Sequence, residues 1–185
     1  MRIAVRFCLV TLLLLVSAVL ARAQVFSGVD VMNSTVMQQH QSSFSGLGAR
    51  LRLRTARIVE GFDLLPYVEY WRNGTLVELP SVGISITGTR KDATLGADVR
   101  YSFKREGWRP YLGAGFGLHF LSTEVDAPSL GLSHASDSII KGGLSGLAGI
   151  TFPLSRHLDN FMELKYHHIP GYSQLKLNMG IAWGL

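Results

Sequence analysis

The sequence predicts an all-β protein, specifically an eight-stranded antiparallel up-and-down transmembrane β-barrel. The first observation is a period of two: over residues 110–121 every second residue is apolar, and half of the residues between them are glycine. Such a strand has one apolar face and one small or polar face. The second observation is a segment of secretion-signal type at the N-terminus, followed by several more alternating segments. Together these features indicate a barrel in an outer membrane, with its apolar face toward lipid and its polar face toward the lumen.

The first 23 residues have the features of a signal peptide. Arg2 and Arg6 precede an apolar run over 7–20, and Ala-Arg-Ala ends at residue 23. The apolar run is shorter than the roughly 20 residues of a membrane-spanning helix, and Ala-x-Ala is a cleavage signal. We therefore expect a cleaved signal peptide over 1–23 and a barrel domain over 24–185. An uncleaved N-terminal anchor is the alternative.

Composition argues against several classes of function. Without the three arginines of the signal, 15 basic side chains face 13 acidic ones, so the near-neutral charge gives no case for a nucleic-acid partner. The one cysteine, Cys8, lies in the signal, which leaves no disulfide or cysteine-ligated metal for the mature chain. After residue 23 no apolar run is long enough for a membrane helix, so insertion would require strands. We predict no cofactor.

Eight alternating segments are predicted as strands. Their lengths suit tilted membrane strands, which need about 9–11 residues. Three connections are short turns on one rim, and two long ones lie on the other rim, which we expect to face outward. The predicted strands cover 25–37, 43–55, 62–72, 92–104, 109–121, 140–153, 160–168 and 173–184.

The two long connections are predicted as loops over 73–91 and 122–139. Asn73-Gly74 is a strong hairpin-turn sequence, and apolar residues alternate after it. We therefore expect a hairpin over 75–87 that projects above the membrane. A ten-stranded barrel is the alternative, although Pro80 interrupts the segment too early for it to span a membrane.

Three segments carry a family resemblance. They are Leu-Gly-Ala-Asp-Val-Arg-Tyr-Ser-Phe at 95–103, Arg-Pro-Tyr-Leu-Gly-Ala-Gly-Phe-Gly-Leu-His at 109–119, and Leu-Lys-Leu-Asn-Met-Gly-Ile-Ala-Trp-Gly-Leu at 175–185. With these segments the chain resembles the small outer-membrane β-barrels that include OmpA-type and opacity-type barrels. The resemblance covers nearly all of the mature chain.

The resemblance implies a fold and a cellular setting more than a role, because the family is functionally diverse. It implies outer-membrane lipid and the outer-membrane assembly machinery as partners. Such barrels usually finish on an aromatic residue that this machinery reads. Here the last residue is Leu185 and the nearest aromatic is Trp183, so recognition by the machinery is expected to be weaker.

Charged residues fall on the lumen face of the predicted strands. Charge facing hydrocarbon is costly, by about 2–4 kcal/mol for Arg or Lys at the midplane. An eight-stranded barrel is just wide enough to be filled by side chains, so charges packed inside must pair. We predict that Asp98, Glu69 and Glu163 are shared among Arg50, Arg52, Arg100 and Lys165. The full predicted ionic network is Asp30, Arg50, Arg52, Glu69, Asp98, Arg100, Glu163, Lys165 and Lys176.

Aromatic residues fall outward near the strand ends. Aromatic side chains concentrate at membrane–water interfaces, so two girdles are predicted. The alternative is that they are ordinary apolar strand residues. The predicted girdle residues are Tyr101, Phe103, Phe152 and Trp183 near one end, and Phe120 and Tyr166 near the other.

No catalytic or metal site is predicted. A lipid A deacylase needs a serine activated by histidine and a carboxylate, and that family carries His-x-Ser on a late strand. Here His167-His168 lacks a serine two residues later, and Ser173 is the nearest hydroxyl. The segment 134–137, His-Ala-Ser-Asp, has the spacing but lies in a predicted loop. Adjacent histidines on a strand face opposite ways and make a poor metal pair.

The favoured function is structural or interactive: an integral outer-membrane barrel with a side-chain-filled lumen that displays loops 73–91 and 122–139 to an unknown external ligand. Rigidly supported loops are where recognition usually resides. A narrow porin-like channel for ions or small solutes is the first alternative. A lipid A-modifying enzyme is the second. A soluble lipocalin-like barrel is disfavoured by the face parity, since its apolar stripe would point inward.

Overall fold

The structure is a computed structural model of the 185-residue chain. The predicted signal peptide, residues 1–23, and the last residue, Leu185, lie outside the described residues. Among the described residues there is no helix that is long and apolar enough to cross a membrane. The structure describes residues 26–38, 41–54, 61–79, 84–104, 106–127 and 132–184.

Eight antiparallel strands close into a barrel in which each strand pairs with its neighbours in sequence and β1 pairs with β8. This is the predicted eight-stranded up-and-down fold, and the ten-stranded alternative is wrong. We call the end where β1 begins and β8 ends the lower rim, and the opposite end the upper rim. The strands are β1 (Phe26–Gln38), β2 (Phe44–Arg54), β3 (Phe62–Leu79), β4 (Ile84–Ser102), β5 (Arg109–Ala127), β6 (Leu132–Pro153), β7 (Leu158–Ile169) and β8 (Tyr172–Gly184).

Two hairpins extend above the upper rim, where the sequence predicted long loops. β3 and β4 stay paired as far as Leu79 and Ile84, and β5 and β6 as far as Ala127 and Leu132. The predictions of loops over 73–91 and 122–139 are therefore wrong for most of those residues. A hairpin over 75–87 is present, but as a direct continuation of β3 and β4.

The predicted turn at Asn73-Gly74 is also wrong. Asn73 pairs with Arg90 and Gly74 with Thr89, both in the middle of the β3–β4 ladder. Unbroken pairing on both sides keeps these two residues extended, so the local turn preference is overridden by the ladder. The connection between β3 and β4, residues 80–83, lies outside the described residues.

The burial pattern is the inverse of that in a soluble barrel. Large apolar side chains such as Leu47 and Leu144 are 64% and 65% exposed on the outer face. Charged side chains on the inner face, such as Asp98 and Lys165, are buried. Every strand therefore contributes large apolar side chains to the outer face, as the sequence parity predicts for a barrel in lipid.

Glycines on the inner face make room for two large tyrosines. A Cβ on Gly96 would lie 2.5 Å from the Tyr67 hydroxyl, and one on Gly149 would lie 2.5 Å from the Tyr111 ring. Gly117 also faces Tyr67, with 2.8 Å from its Cβ position to the hydroxyl. These inner-face glycines, one each from β4, β5 and β6, therefore form part of a packed interior, which is how narrow barrels fit large side chains.

Candidate functional site

The middle of the lumen holds a cluster of two lysines and two carboxylates. Lys165 Nζ donates to Asp98 Oδ2 at 2.7 Å and to Glu69 Oε1 at 3.3 Å. Lys176 donates to the other Glu69 oxygen. Ser145 donates to Asp98 at 2.9 Å. All four charged side chains are buried. Because they come from β3, β4, β7 and β8, their hydrogen bonds connect these four strands across the barrel interior.

A second cluster lies next to the first and is centred on Arg50. Arg50 Nε donates to Asp30 at 2.7 Å, and its Nη1 donates to Glu163 at 2.8 Å. Arg52 donates to the same Asp30 at 2.6 Å. Glu163 also accepts from Tyr111 at 3.1 Å. This guanidinium therefore bridges two carboxylates in geometry typical of strong charge-assisted hydrogen bonds.

The structure places all nine residues of the predicted ionic network on the lumen face, and all nine are buried. The predicted sharing of carboxylates is wrong for two cations. Arg52 bonds Asp30, and Arg100 donates to Asp63 at 2.8 Å. Asp63 and Arg100 are direct cross-strand partners in the β3–β4 ladder, so strand register decides which carboxylate lies nearest to Arg100. Lys176, left unassigned by the prediction, bonds Glu69.

Sequence reasoning missed a histidine cluster above the lysines. Asp92 Oδ2 lies 2.9 Å from His119 Nδ1, and Thr94 Oγ1 lies 3.0 Å from the same nitrogen. His119 Nε2 lies 3.2 Å from His167 Nδ1. The sequence contained a signal for this cluster. Asp92 and Thr94 lie an even number of residues from Asp98 and so share its inward face, and His119 follows three glycines on the inner face of β5.

Aromatic residues close the upper end of the lumen. Trp71 is 2% exposed and stacks on Tyr172, with 6.3 Å between ring centroids. Phe44 packs against Trp71 at 4.7 Å, and Gln38 hydrogen-bonds the Tyr172 hydroxyl. These side chains come from four neighbouring strands, β1, β2, β3 and β8, and form an aromatic group at the upper end of the lumen.

The predicted girdle residues lie on the outer face. At the lower rim Tyr101 contacts Phe103 edge-on, and Phe152 contacts Trp108, which the sequence reasoning had not included. Trp183 is exposed at the same rim. Nearer the upper rim Phe120 and Tyr166 are exposed.

The histidines at the end of β7 face opposite ways, as predicted. His167 is buried in the lumen, while His168 is exposed and lies 3.3 Å from Ser173 Oγ. The segment 134–137 belongs to β6 rather than to a loop, so that expectation is wrong. The part of the chain that the structure describes contains no group of three or more residues able to hold a metal ion.

We expect Asp98→Asn and Glu163→Gln each to lower the free energy of unfolding in detergent by about 1–3 kcal/mol, the cost of leaving a buried donor poorly satisfied. The effect is limited because each cation retains one carboxylate partner: Lys165 still donates to Glu69 in the first variant, and Arg50 still donates to Asp30 in the second. Urea unfolding followed by tryptophan fluorescence measures it. Unchanged midpoints in both variants would contradict a stabilising network.

Comparison with known structures gives several matches. A major outer membrane protein from Thermus thermophilus matches with a TM-score of 0.61 at 14% identity, over 86% of this chain and 99% of that one. Neisserial surface protein A matches with a TM-score of 0.57 at 20% identity, over 86% and 96%. Ail, the attachment invasion locus protein of Yersinia pestis, matches with a TM-score of 0.55 at 14% identity, over 86% and 97%. The fold is that of the small outer-membrane β-barrels.

Sequence comparison adds no closer relationship. No protein-family model matches the chain, and no curated protein matches it. At identities of this level the small outer-membrane β-barrel fold is shared, while function is decided by the residues of the site.

Proposed function

We propose that this chain is an integral outer-membrane β-barrel protein with a structural or surface-interaction role and a lumen closed by its own side chains. The inversion of burial carries the proposal: apolar side chains cover the outside, while nine charged side chains of the network lie buried within. A soluble barrel with this surface would expose an apolar area far beyond that of ordinary monomers. In lipid the same surface is favourable.

The packed interior supports a structural role. The charged clusters fill the middle of the lumen, and Trp71 and Tyr172 cover them from above. An eight-stranded barrel leaves little continuous water once its side chains pack in this way. We propose no catalytic activity.

The upper hairpins support a surface-interaction role. At about 3.4 Å per residue, the paired segments above the upper rim reach well beyond the lipid-facing band. Their described side chains include the exposed Arg90 and Val125 and the Lys91–Glu124 ion pair at 2.6 Å. Rigid extended hairpins position recognition side chains better than free loops do, since less conformational entropy is lost on binding.

The lipid boundary is proposed from the outer-face aromatics. Tyr101, Phe103, Phe152 and Trp183 are proposed to lie at one interface, and Phe120 and Tyr166 at the other. Cleavage near Gln24 and insertion by the outer-membrane assembly machinery belong to the same proposal.

The proposal is tested by expressing the full chain in a Gram-negative host and fractionating the envelope. We expect the chain in the outer-membrane fraction, with a mobility that differs between boiled and unboiled SDS-gel samples. Intact mass should place the mature N-terminus near Gln24. Recovery of a folded, detergent-free monomer from the periplasm would contradict the proposal.

A narrow channel is the second candidate, because the lower mouth of the lumen is open. We expect no discrete conductance from the purified protein in a planar bilayer, since the buried Trp71, the lysine cluster and the Arg50 cluster occupy the lumen above this mouth. Discrete openings that change with Arg100→Gln or Glu163→Gln would favour the channel instead.

A further inference from the structure

A cavity of about 360 Å³ opens at the lower rim. Its inner wall is formed by the buried Arg52 and Arg100, and its outer wall by the exposed Arg54 and Lys104. The cavity therefore leads from solvent into the lumen, and we call it the funnel. A volume of this size suits a small molecule rather than a single ion. The charged lining residues are Arg52, Arg54, Asp63, Arg100, Lys104 and Arg109.

Positive charge exceeds negative charge around this funnel. Among the described residues five cations line it, against one carboxylate, Asp63, which is paired with Arg100. Two more carboxylates lie next to the lining: Asp159 pairs with Arg109 at 2.5 Å, and Asp30 pairs with Arg52 at 2.6 Å. Even with all three counted, cations remain in excess. An uncompensated cationic cleft of this kind concentrates anions from solution.

Guanidinium donors in the funnel also lack partners. The Nε atoms of Arg52, Arg100 and Arg109 are buried and make no hydrogen bond within the described structure. Arg100 is 5% exposed, and its guanidinium lies over the Tyr111 ring at 4.9 Å, which holds it in place. Burying an unsatisfied donor is costly, and these N–H groups add positive potential to the funnel although they are not exposed to it. Direct contact with a ligand falls to the exposed ends of Arg54 and Lys104.

We propose that the funnel is a binding site for a small molecule that carries phosphoryl groups. Arginine presents a planar fork of donors that matches phosphate oxygens, and several converging arginines suit a ligand with more than one negative charge. The excess of two cations that remains after the three carboxylates are counted matches the charge of a phosphoryl dianion, whereas a single carboxylate would leave half of that excess uncompensated. The same chemistry is offered by a free phosphorylated solute and by a phospholipid headgroup.

Titration calorimetry with inorganic pyrophosphate tests the site. The full chain is purified in an uncharged, phosphate-free detergent, and the titration uses a phosphate-free buffer. We expect one saturable site per chain. Arg54→Gln and Lys104→Gln should each weaken binding by about tenfold, the loss typical of one charge-assisted contact. The matched control is Arg156→Gln, an exposed arginine in a turn of the same rim that does not line the funnel.

Two results would overturn the proposal. One is the absence of saturable binding to a protein that still shows the heat-dependent mobility of the folded barrel. The other is equal weakening by Arg156→Gln, which would mean that only the overall charge of the rim matters.

The source of the phosphoryl group is decided by reconstitution. Pyrophosphate affinity is compared in bilayers of phosphatidylcholine alone and of phosphatidylcholine with phosphatidylglycerol. Loss of affinity with the anionic lipid identifies a headgroup as the occupant, and unchanged affinity identifies a free solute. The site is independent of the surface role proposed above, since it lies at the opposite rim from the projecting hairpins.

Discussion

Replacing Glu69 with glutamine is expected to lower the free energy of unfolding by about 3–5 kcal/mol, the usual cost of breaking a buried ion pair from one side. Glu69 accepts from both Lys165 and Lys176. Lys165 keeps its hydrogen bond to Asp98 at 2.7 Å, whereas the buried Lys176 ammonium is left beside a neutral amide. Urea unfolding in detergent, followed by tryptophan fluorescence, measures the loss.

Two further variants separate the buried charge from general perturbation. Adding Lys176→Met to Glu69→Gln should restore most of the lost stability, because an apolar side chain of similar length no longer needs a partner. The control is Lys91→Met, which breaks the partly exposed Lys91–Glu124 pair and should cost about 0–1 kcal/mol. A double variant no more stable than Glu69→Gln alone would count against the unpaired ammonium as the cause.

The second large effect is expected from Gly96→Ala, which should cost about 1–3 kcal/mol by overpacking. The added Cβ would lie 2.5 Å from the backbone oxygen of Phe116 and 2.5 Å from the Tyr67 hydroxyl. Because the first of these atoms is backbone, the strand itself must move. The same unfolding measurement applies. The control is Gly146→Ala on the outer face, where nothing lies within 4 Å of the added Cβ and stability should not fall.

Gly117→Ala provides a companion test, because its added Cβ meets only side chains, the Tyr67 hydroxyl at 2.8 Å being the nearest. Tyr67→Phe removes that oxygen, which has no hydrogen-bond partner within the described structure. Combining it with Gly117→Ala should recover stability, whereas combining it with Gly96→Ala should not. Equal recovery of stability in the two double variants would show that the backbone at Phe116 shifts at little cost to accommodate the added Cβ.

The sequence was enough to predict the side chains that occupy the lumen, because a side chain on a barrel strand can face only inward or outward. Once one residue of a strand is known to face lipid, every second residue must face inward. Lys165 is an example: its neighbours Leu164 and Tyr166 mark the outer face, so the lysine has to be inside. The strand count followed from the same alternation.

Ion-pair partners could not be predicted in this way, because they depend on register and on distances across the lumen. Arg100 meets Asp63 because the β3–β4 ladder places the two directly opposite each other. Face parity shows which way a side chain points, but not which residue of the neighbouring strand lies opposite it. The extent of β3 was missed for a related reason: Asn73-Gly74 favours a turn in isolation, and only its pairing partners in β4 keep it extended.

Two of the ion pairs in the lumen join strands that are far apart in the chain. Arg50 of β2 bonds Glu163 of β7, and Glu69 of β3 bonds Lys176 of β8. No single hairpin can form these two pairs, so they form only when the sheet curls and brings β2 near β7 and β3 near β8. We therefore expect barrel closure to be cooperative, since a partly curled sheet leaves these charges dehydrated without their partners.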